Sequence, residues 1–297
     1  MVATTAAPVK AGEAVLKWIV KEGGFVHKDL EVLEGEAGSG ELSLFSTGII
    51  AKEEALLVIP QKCLIKYSGN ELDMCDAGRK LAAQLELGSK SPQHAPYIEY
   101  LEATKDNHLL PSGWSFRGKH ILLKLLADNF KQVLPTKKVL DWNWQRDCMG
   151  DPEQEAAYLM LLQRGWDGVM MPGFDIIRHR DGKWTNSDHT STTDGSTNVV
   201  VTATRDIVEA EEIFTSYNQC DNCGNRKTTY GTPQFLRDQG TIDQLPQRWI
   251  LEDDVVFEVA NVEGSDRLKI IWLDGELPDE EDLFFLEAQF ARLELLA

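Results

Sequence analysis

The sequence predicts an α+β fold, in which short strands toward both ends of the chain flank a helix-rich middle. Residues 56–59 form an apolar run that ends at Pro60, as expected of a short buried strand. Residues 199–207 have a similar strand-like pattern, and later strands are predicted at 255–260 and 268–273. Strands and helices are both predicted, which indicates the α+β class.

Apolar residues recur at helical spacing near the start of the chain and again in its middle. In residues 14–21 they share one face, and the glycine pair at 23–24 is expected to end this helix. Further helices are predicted at 71–87, 121–134, 153–164 and 280–296, and residues 236–249 are predicted to be a connector. We expect three residues of the helix at 153–164 to point inward: Ala156, Leu159 and Met160. Three tryptophans are expected to pack the middle region: Trp142, Trp144 and Trp166.

The composition is that of a globular chain with a substantial core. The chain has 297 residues, of which 42% are hydrophobic. A membrane span is not expected, because the sequence contains no apolar run of about 18 residues. The first residues lack the apolar segment of a secretory signal peptide.

Acidic residues outnumber basic ones. Asp and Glu total 48 and Lys and Arg total 30, which gives a net charge of −18. This charge argues against nucleic acid as a partner, since phosphates are repelled. It is compatible with a basic protein partner, or with no more than solubility, and we expect a monomer.

The five cysteines are odd in number and scattered along the chain. This distribution does not resemble a secreted disulfide framework, so a reducing compartment is expected. Cys220 and Cys223 form a Cys-x-x-Cys pair that admits three interpretations: half a zinc site, a redox-labile pair or a plain turn. Because a zinc site needs about four ligands and no second pair follows, we favour the turn and predict no metal.

A series of short motifs lies between positions 172 and 232. In order, they are Pro172 with Asp175 and Arg178-His179, Arg205-Asp206-Ile207, Glu212-Ile213-Phe214, Ser216-Tyr217, and Tyr230-Gly231-Thr232. Their order and spacing resemble the catalytic core of SET-domain protein methyltransferases, in the branch similar to the Rubisco large-subunit lysine methyltransferase. Residues 44–60 resemble the first half of the same fold, and residues 94–114 resemble the Pro-Tyr-Ile…Leu-Pro signature of that branch. Two positions differ from the family pattern, because Arg178 replaces an Asn and Thr232 replaces a Phe.

The resemblance implies small, mostly antiparallel SET-type sheets, a helical insert and a threaded C-terminal segment. We therefore expect an N-terminal SET half with its leading helix at 1–72, a helical insert at 73–165, and a C-terminal SET half with the active site at 166–250. Residues 251–297 would form a short strand pair and a helix, the remnant or truncated start of a C-terminal substrate-binding domain. The sequence does not name the compartment, and the cytoplasm and the plastid stroma, both reducing, stay open.

The implied activity is methyl transfer from S-adenosylmethionine to a lysine of a non-histone protein. A lysine amine must be neutral to attack, and a narrow apolar channel lowers the lysine pKa by desolvation and holds the amine in position. The partner is then a lysine-bearing protein, possibly a basic one. Two alternatives stay open: a catalytically inactive SET-fold binding module, and a protein-histidine methyltransferase, since one branch of the family methylates a histidine of actin.

The resemblance also implies roles for single residues. Tyr217 would direct its hydroxyl at the transferring methyl and the amine, and it would contact the donor. Tyr230 would line the substrate channel, and Phe214 would line it or pack in the core. A hydrolase triad built on His189 is excluded, because the polar loop there offers no nucleophile elbow.

Four further residues are predicted to bind the donor. Arg178 and His179 occupy the family's donor-binding position, where much of the contact comes from the main chain. The side chain of Arg178 would reach the donor carboxylate or, alternatively, repel the sulfonium. Gly38 and Gly40 lie in a glycine turn that permits close approach of the backbone. Asn186 is a further candidate, which can offer an amide in place of the missing Asn.

Overall fold

The computed structural model describes residues 7–35, 41–66, 74–90, 93–105, 144–166, 169–190, 197–217, 231–240, 242, 244–251, 255–265 and 267–272. The chain divides into two compact units. The first unit comprises Met1–Asn107 and Trp144–Ser216, and the second comprises His108–Asn143 and Tyr217–Ala297. Both contain strands and helices, so the predicted α+β class is confirmed.

The first unit begins with α1 (Ala7–Lys21). Val15 and Ile19 are fully buried on its apolar face, as the spacing predicts. The helix ends at Lys21, and Gly23 lies in the turn that follows, where its φ of +87° is in the left-handed region that glycine adopts without a steric penalty. The Gly24 N–H then donates to the Ile19 carbonyl at 2.9 Å, which satisfies a carbonyl of the last turn. The predicted glycine stop is therefore confirmed.

The strands of the first unit form small sheets. They are β1 (Phe25–Val26), β2 (Leu30–Glu34), β3 (Leu42–Ser46), β4 (Ala55–Ile59), β5 (Ile65–Lys66), β6 (Gly165–Trp166), β7 (Val169–Met170), β8 (Arg178–His179), β9 (Ser187–His189), β10 (Val199–Ala203) and β11 (Phe214–Thr215). The largest sheet has the order β1-β4-β10-β9, beside the hairpin β2-β3 and the sheet β5-β7-β6, and all of these pairs are antiparallel. The exception is β8 with β11, which run parallel.

The pairing of β4 with β10 forms the centre of the core. Val200 lies opposite Val58, and the register shifts between Val201 and Thr202. The inward residues of both strands are buried, among them Leu57, Ile59, Val199 and Val201. Because these two strands come from the two predicted SET halves, the core joins segments far apart in the sequence.

The helices of the middle region are α2 (Met74–Leu87), α3 (Ala95–Ala103), α4 (Trp144–Asp147) and α5 (Glu155–Arg164). A Cβ on Gly78 of α2 would lie 3.0 Å from the Trp144 ring and 3.2 Å from the Tyr158 ring, so the helices pack closely there. Leu159 and Met160 point inward as predicted, but Ala157 rather than Ala156 is the buried alanine. Trp144 is buried and Trp166 half-buried, whereas Trp142 and the helix predicted at 121–134 lie outside the described residues.

A disulfide joins Cys75 in α2 to Cys148, just after α4. The cysteine spacing in the sequence did not predict this bond. The pairing is not evident from the sequence, because the two cysteines are separated by 73 positions and only helix packing brings them together. The Arg79 guanidinium lies over the Trp144 ring and donates to the Cys148 carbonyl at 2.6 Å, which holds the same contact. Cys63 is free and buried.

The second unit contains α6 (Thr232–Gln239) and an antiparallel sheet of β12 (Gln247–Leu251), β13 (Val255–Asn261) and β14 (Leu268–Trp272). The strands predicted at 255–260 and 268–273 are confirmed to within a residue. The connector predicted at 236–249 is wrong in part, because it contains the end of α6 and the start of β12. Strand β12 is specified by its hydrogen bonds to β13 rather than by a local pattern. The helix predicted at 280–296 lies outside the described residues.

Candidate functional site

Strands β8 and β11 bring the first and later motifs of the series side by side. Phe214 lies opposite Arg178 and Thr215 opposite His179, and the Arg180 N–H donates to the Thr215 carbonyl at 3.2 Å. Both strands lie in the first unit, and the chain passes from β11 through Ser216 to Tyr217. The strand that carries the predicted donor-binding pair therefore lies beside the strand that leads to the predicted catalytic tyrosine.

A buried carboxylate, Asp181, links these two strands. Its Oδ1 accepts a short hydrogen bond from the Ser216 hydroxyl, and its Oδ2 lies 3.8 Å from Nε2 of His179. Asp181 is 1% exposed, as is the side chain of His179, so these polar groups depend on one another in place of water. Asp181 was not predicted as a site residue. Its position two residues after His179, on the same side of an extended segment, was the available signal.

The guanidinium of Arg178 is held between two carboxylates. Its Nε lies 3.2 Å from Glu41 and its Nη1 lies 3.1 Å from Glu212, which is 8% exposed. The same group packs on the backbone of Gly35, where an added Cβ would lie 2.4 Å from Nη1. Arg178 therefore ties the ends of β2 and β3 to β8, and its positive charge is balanced within the protein.

The amide of Asn186 is used to hold the backbone before and within β11. It is fully buried, donates to the Glu212 carbonyl at 2.8 Å and accepts from the Phe214 N–H at 2.8 Å. Its amide nitrogen also lies 3.3 Å from a carboxylate oxygen of Glu211, so both of its donors and its acceptor are engaged. The Asn186 amide therefore holds the backbone on either side of Ile213 in place.

Phe214 and Tyr217 lie in different surroundings. Phe214 is buried, 6% exposed, and the guanidinium carbon of Arg180 lies 5.6 Å from its ring. Arg180 also stacks on Trp184 at 3.8 Å. Tyr217 is half-buried, and its ring lies 5.9 Å from that of Phe235 in α6, within the second unit. The predicted site residues Gly38, Gly40 and Tyr230 and the pair Cys220 and Cys223 lie outside the described residues.

A second buried polar network holds the segment that precedes β8. The Tyr97 hydroxyl donates to Asp175 at 2.8 Å, and Arg164 lies 3.4 Å from the same carboxylate oxygen. Arg164 also donates to the Tyr100 hydroxyl at 2.9 Å, and burial raises the pKa of Tyr100 to about 12. The Asp of the first motif and the Tyr of the Pro-Tyr-Ile signature are therefore direct partners. Arg164, which contacts Asp175 and Tyr100, was not predicted from the sequence.

Arg205, a residue of the motif series, forms a third contact with Glu211, at the turn before β11. Arg205 Nη2 lies 2.6 Å from Glu211, whose other carboxylate oxygen accepts from the Val208 N–H at 3.0 Å. Burial raises the pKa of Glu211, but these hydrogen bonds outweigh it and leave the pKa below its usual range. The described residues contain no group of three or more metal-binding side chains. Nor does this part of the chain contain a helix with the length and hydropathy to cross a membrane.

Known proteins of the same fold are found by structure, and a family match is found by sequence. A crystal structure of the SET domain of LSMT bound to lysine and AdoHcy matches with a TM-score of 0.51 at 13% identity, over 92% of this chain and 69% of that one. A structure of Rubisco LSMT bound to sinefungin and monomethyllysine matches with a TM-score of 0.52 at 17% identity, over 91% and 68%. No curated protein sequence matches significantly. The SET domain family matches residues 41–218, more than half of the chain, and the protein therefore belongs to the SET-domain family.

Proposed function

We propose that the protein is a protein methyltransferase that uses S-adenosylmethionine and acts on a lysine of a non-histone protein. The observation that supports this most directly is the parallel pairing of β8 with β11 in a SET-family chain. It brings Arg178 and His179 beside the strand that leads to Tyr217. The two similar structures contain a donor analogue or product with lysine or monomethyllysine, which supports the choice of donor and acceptor.

The charges around Arg178 fit a cationic donor. A free guanidinium beside a sulfonium would be repulsive, but here Glu41 and Glu212 face the guanidinium at 3.2 and 3.1 Å. The three side chains together carry one more negative than positive charge. The neighbourhood of β8 therefore does not oppose a sulfonium.

In this proposal the donor is held by the main chain at Arg178 and His179 and by the turn with Gly38 and Gly40. S-adenosylmethionine, when bound, supplies an electrophilic methyl group. Tyr217 orients the acceptor amine through its hydroxyl and contacts the donor. Apolar walls exclude water and so favour the neutral amine, which is the form that attacks.

Two more residues and the domain arrangement complete the proposal. Tyr230 and Phe214 line the acceptor channel. The SET halves at 1–72 and 166–250 flank the insert at 73–165, and residues 251–297 belong to a region that binds the protein substrate. The chain acts as a monomer.

Donor binding and catalysis are tested separately. Calorimetry with S-adenosylhomocysteine is expected to show saturable binding, and incubation with a cell lysate and a radiolabelled donor is expected to label a protein substrate. Tyr217→Phe is expected to lower methyl transfer by about 100-fold or more while changing donor affinity little, since only the positioning hydroxyl is lost. Full activity of this variant would overturn the role of Tyr217. A folded protein that binds no S-adenosylhomocysteine would overturn the enzyme assignment.

The departures from the family pattern favour one alternative, an inactive SET-fold binding module. Arg178 replaces the family Asn and its side chain is committed to Glu41 and Glu212. Absence of both donor binding and labelling would support this alternative. If labelling occurs, amino-acid analysis of the labelled product separates a lysine acceptor from a histidine acceptor.

A further inference from the structure

A groove of about 580 Å³ lies in the first unit, where three segments meet. One wall is formed by residues 61–66, which include β5, and a second wall by α2. The third segment leads into α3. The volume lies in the range of about 300–1,000 Å³ that is usual for small-molecule sites. Ten residues line the groove: Gln61, Lys62, Leu64, Ile65, Lys66, Lys80, Ala83, Gln84, Gln93 and His94.

The charge of this lining is opposite to that of the chain. Acidic residues outnumber basic ones by 48 to 30 in the whole sequence. None of the ten lining residues is acidic, however, and three of them are lysines. A concave surface lined by one sign of charge concentrates the electrostatic field and attracts the opposite charge. The groove is therefore suited to an anion.

The lysine ammonium groups keep donors available for a ligand. Lys62 lies 2.7 Å from Glu22 and Lys80 lies 2.8 Å from Asp76. Because an ammonium has three N–H donors, a single carboxylate contact leaves others unused. Lys66 is exposed at the end of β5 and has no ion pair within the described part of the chain. The groove therefore combines two lysines held by carboxylates with one unpaired lysine.

The remaining lining supplies neutral polar groups and an apolar surface. Gln93 donates to the Lys62 carbonyl at 2.9 Å, which holds two walls together. The ring of His94 packs edge-on against Trp18, and its Nε2 is buried without a hydrogen-bond partner among the described residues. Burial lowers the pKa of His94, which favours a neutral imidazole at pH 7. Amides, an imidazole and Leu64 are groups that contact the uncharged part of an organic ligand.

From this lining we infer that the groove binds a small phosphate ester. The phosphate lies among the three lysine ammonium groups, and the organic part lies against the glutamine amides and Leu64. Lysine ammonium groups act as point charges and bind phosphate without a fixed plane, in contrast to the bidentate geometry of arginine and carboxylate. The groove shares no residue with the proposed methyl-transfer site, so this inference does not depend on the proposed function.

The test uses the full-length protein and inorganic pyrophosphate as the probe. Calorimetry at constant ionic strength is expected to show saturable binding, with a dissociation constant below roughly 1 mM. The same titration followed by NMR is expected to shift the imidazole signals of His94. Lys66→Glu is expected to weaken binding by at least about tenfold, because it replaces an attractive charge with a repulsive one.

Lys52→Glu is the matched control. Lys52 lies outside the groove, and its replacement by Glu changes the net charge by the same amount as Lys66→Glu. Pyrophosphate binding by this variant is therefore expected to be unchanged. The inference is overturned if pyrophosphate does not saturate the protein by roughly 10 mM, or if both variants weaken binding equally. It is also overturned if an acidic hexaglutamate peptide binds more tightly than pyrophosphate and loses affinity in Lys66→Glu. That result would indicate a peptide ligand instead.

Discussion

At the scale of single residues, Arg178 shows how a departure from the family pattern is accommodated. The side chain reaches Glu41, next to β3, and Glu212, just before β11. Glu212 is largely buried, so its carboxylate depends on this partner. An Asn at position 178 is too short to make either contact. The two glutamates and the arginine therefore form one unit in this chain.

Replacement of Arg178 by the family residue tests that unit. Arg178→Asn is expected to lower the free energy of unfolding by about 1–3 kcal/mol, because Glu212 loses its counter-charge in a buried position. Urea denaturation measures this difference. Arg178→Lys is the control, because it keeps the positive charge but loses the planar guanidinium that contacts both carboxylates. Its free energy of unfolding should lie between those of Arg178→Asn and the wild type. Equal stability of all three proteins would contradict the role of the ion pairs.

Glu211 gives a pH-dependent prediction. Its pKa is lowered in the folded state, so its contribution to stability is present above its ordinary pKa of 4.5 and is lost as the pH falls through the folded value. Glu211→Gln is expected to cost about 0.5–1 kcal/mol at pH 7, a small figure because the pair with Arg205 is partly exposed. The difference should shrink as the pH falls below 4.5. Denaturation midpoints at several pH values provide the measurement, and a difference that grows toward acid pH would contradict the assignment.

At the scale of elements, the disulfide between Cys75 and Cys148 fastens α2 to the segment after α4. The buried Trp144 ring packs against Tyr158, with ring centroids 5.0 Å apart, and reinforces the same junction. The bond closes a long loop, since the two cysteines are 73 positions apart. Closing such a loop lowers the conformational entropy of the unfolded chain. For a loop of this length, the resulting stabilisation of the folded state is about 4 kcal/mol.

Reduction tests the contribution of the disulfide. A reductant such as dithiothreitol is expected to lower the melting temperature of the wild-type protein, and the double variant Cys75→Ala/Cys148→Ala should melt at a similarly lowered temperature. The same reductant should leave the melting temperature of the variant unchanged, which separates loss of the bond from other effects of reduction. Alkylation of Cys75 or Cys148 in the native protein without reductant would contradict the pairing.

At the scale of the whole molecule, the net charge of −18 has a consequence for substrate encounter. If the substrate is a basic protein, the acidic surface attracts it over distances comparable to the Debye length, about 10 Å at 0.1 M salt. Raising the salt from 50 to 300 mM is then expected to lower kcat/KM for that substrate several-fold, mainly through a higher KM. Initial-rate measurements with the labelled donor check this. A free lysine analogue is the control, because it carries too little charge to be steered strongly.

The sequence by itself determined the family and part of the local structure. The motif series between Pro172 and Gly231 identified the SET fold, and residue periodicity located α1, β4 and the pair β13 and β14. These features are encoded by neighbours in the chain: apolar spacing, terminating glycines and ordered motifs. Short strands such as β1, β5, β6, β7 and β9 were not predicted, because two or three residues are too few to show a period.

Only the tertiary structure decided which side chains meet. It paired Arg178 with Glu41 and Glu212, placed Asp181 between His179 and Ser216, and used the amide of Asn186 for the backbone of β11. It also joined Cys75 to Cys148 and gathered three lysines in one groove. Each of these contacts links segments that are distant in the sequence, whereas hydrophobic periodicity describes only one segment at a time. Their geometry depends on how the strands and helices pack, which no local pattern in the chain specifies.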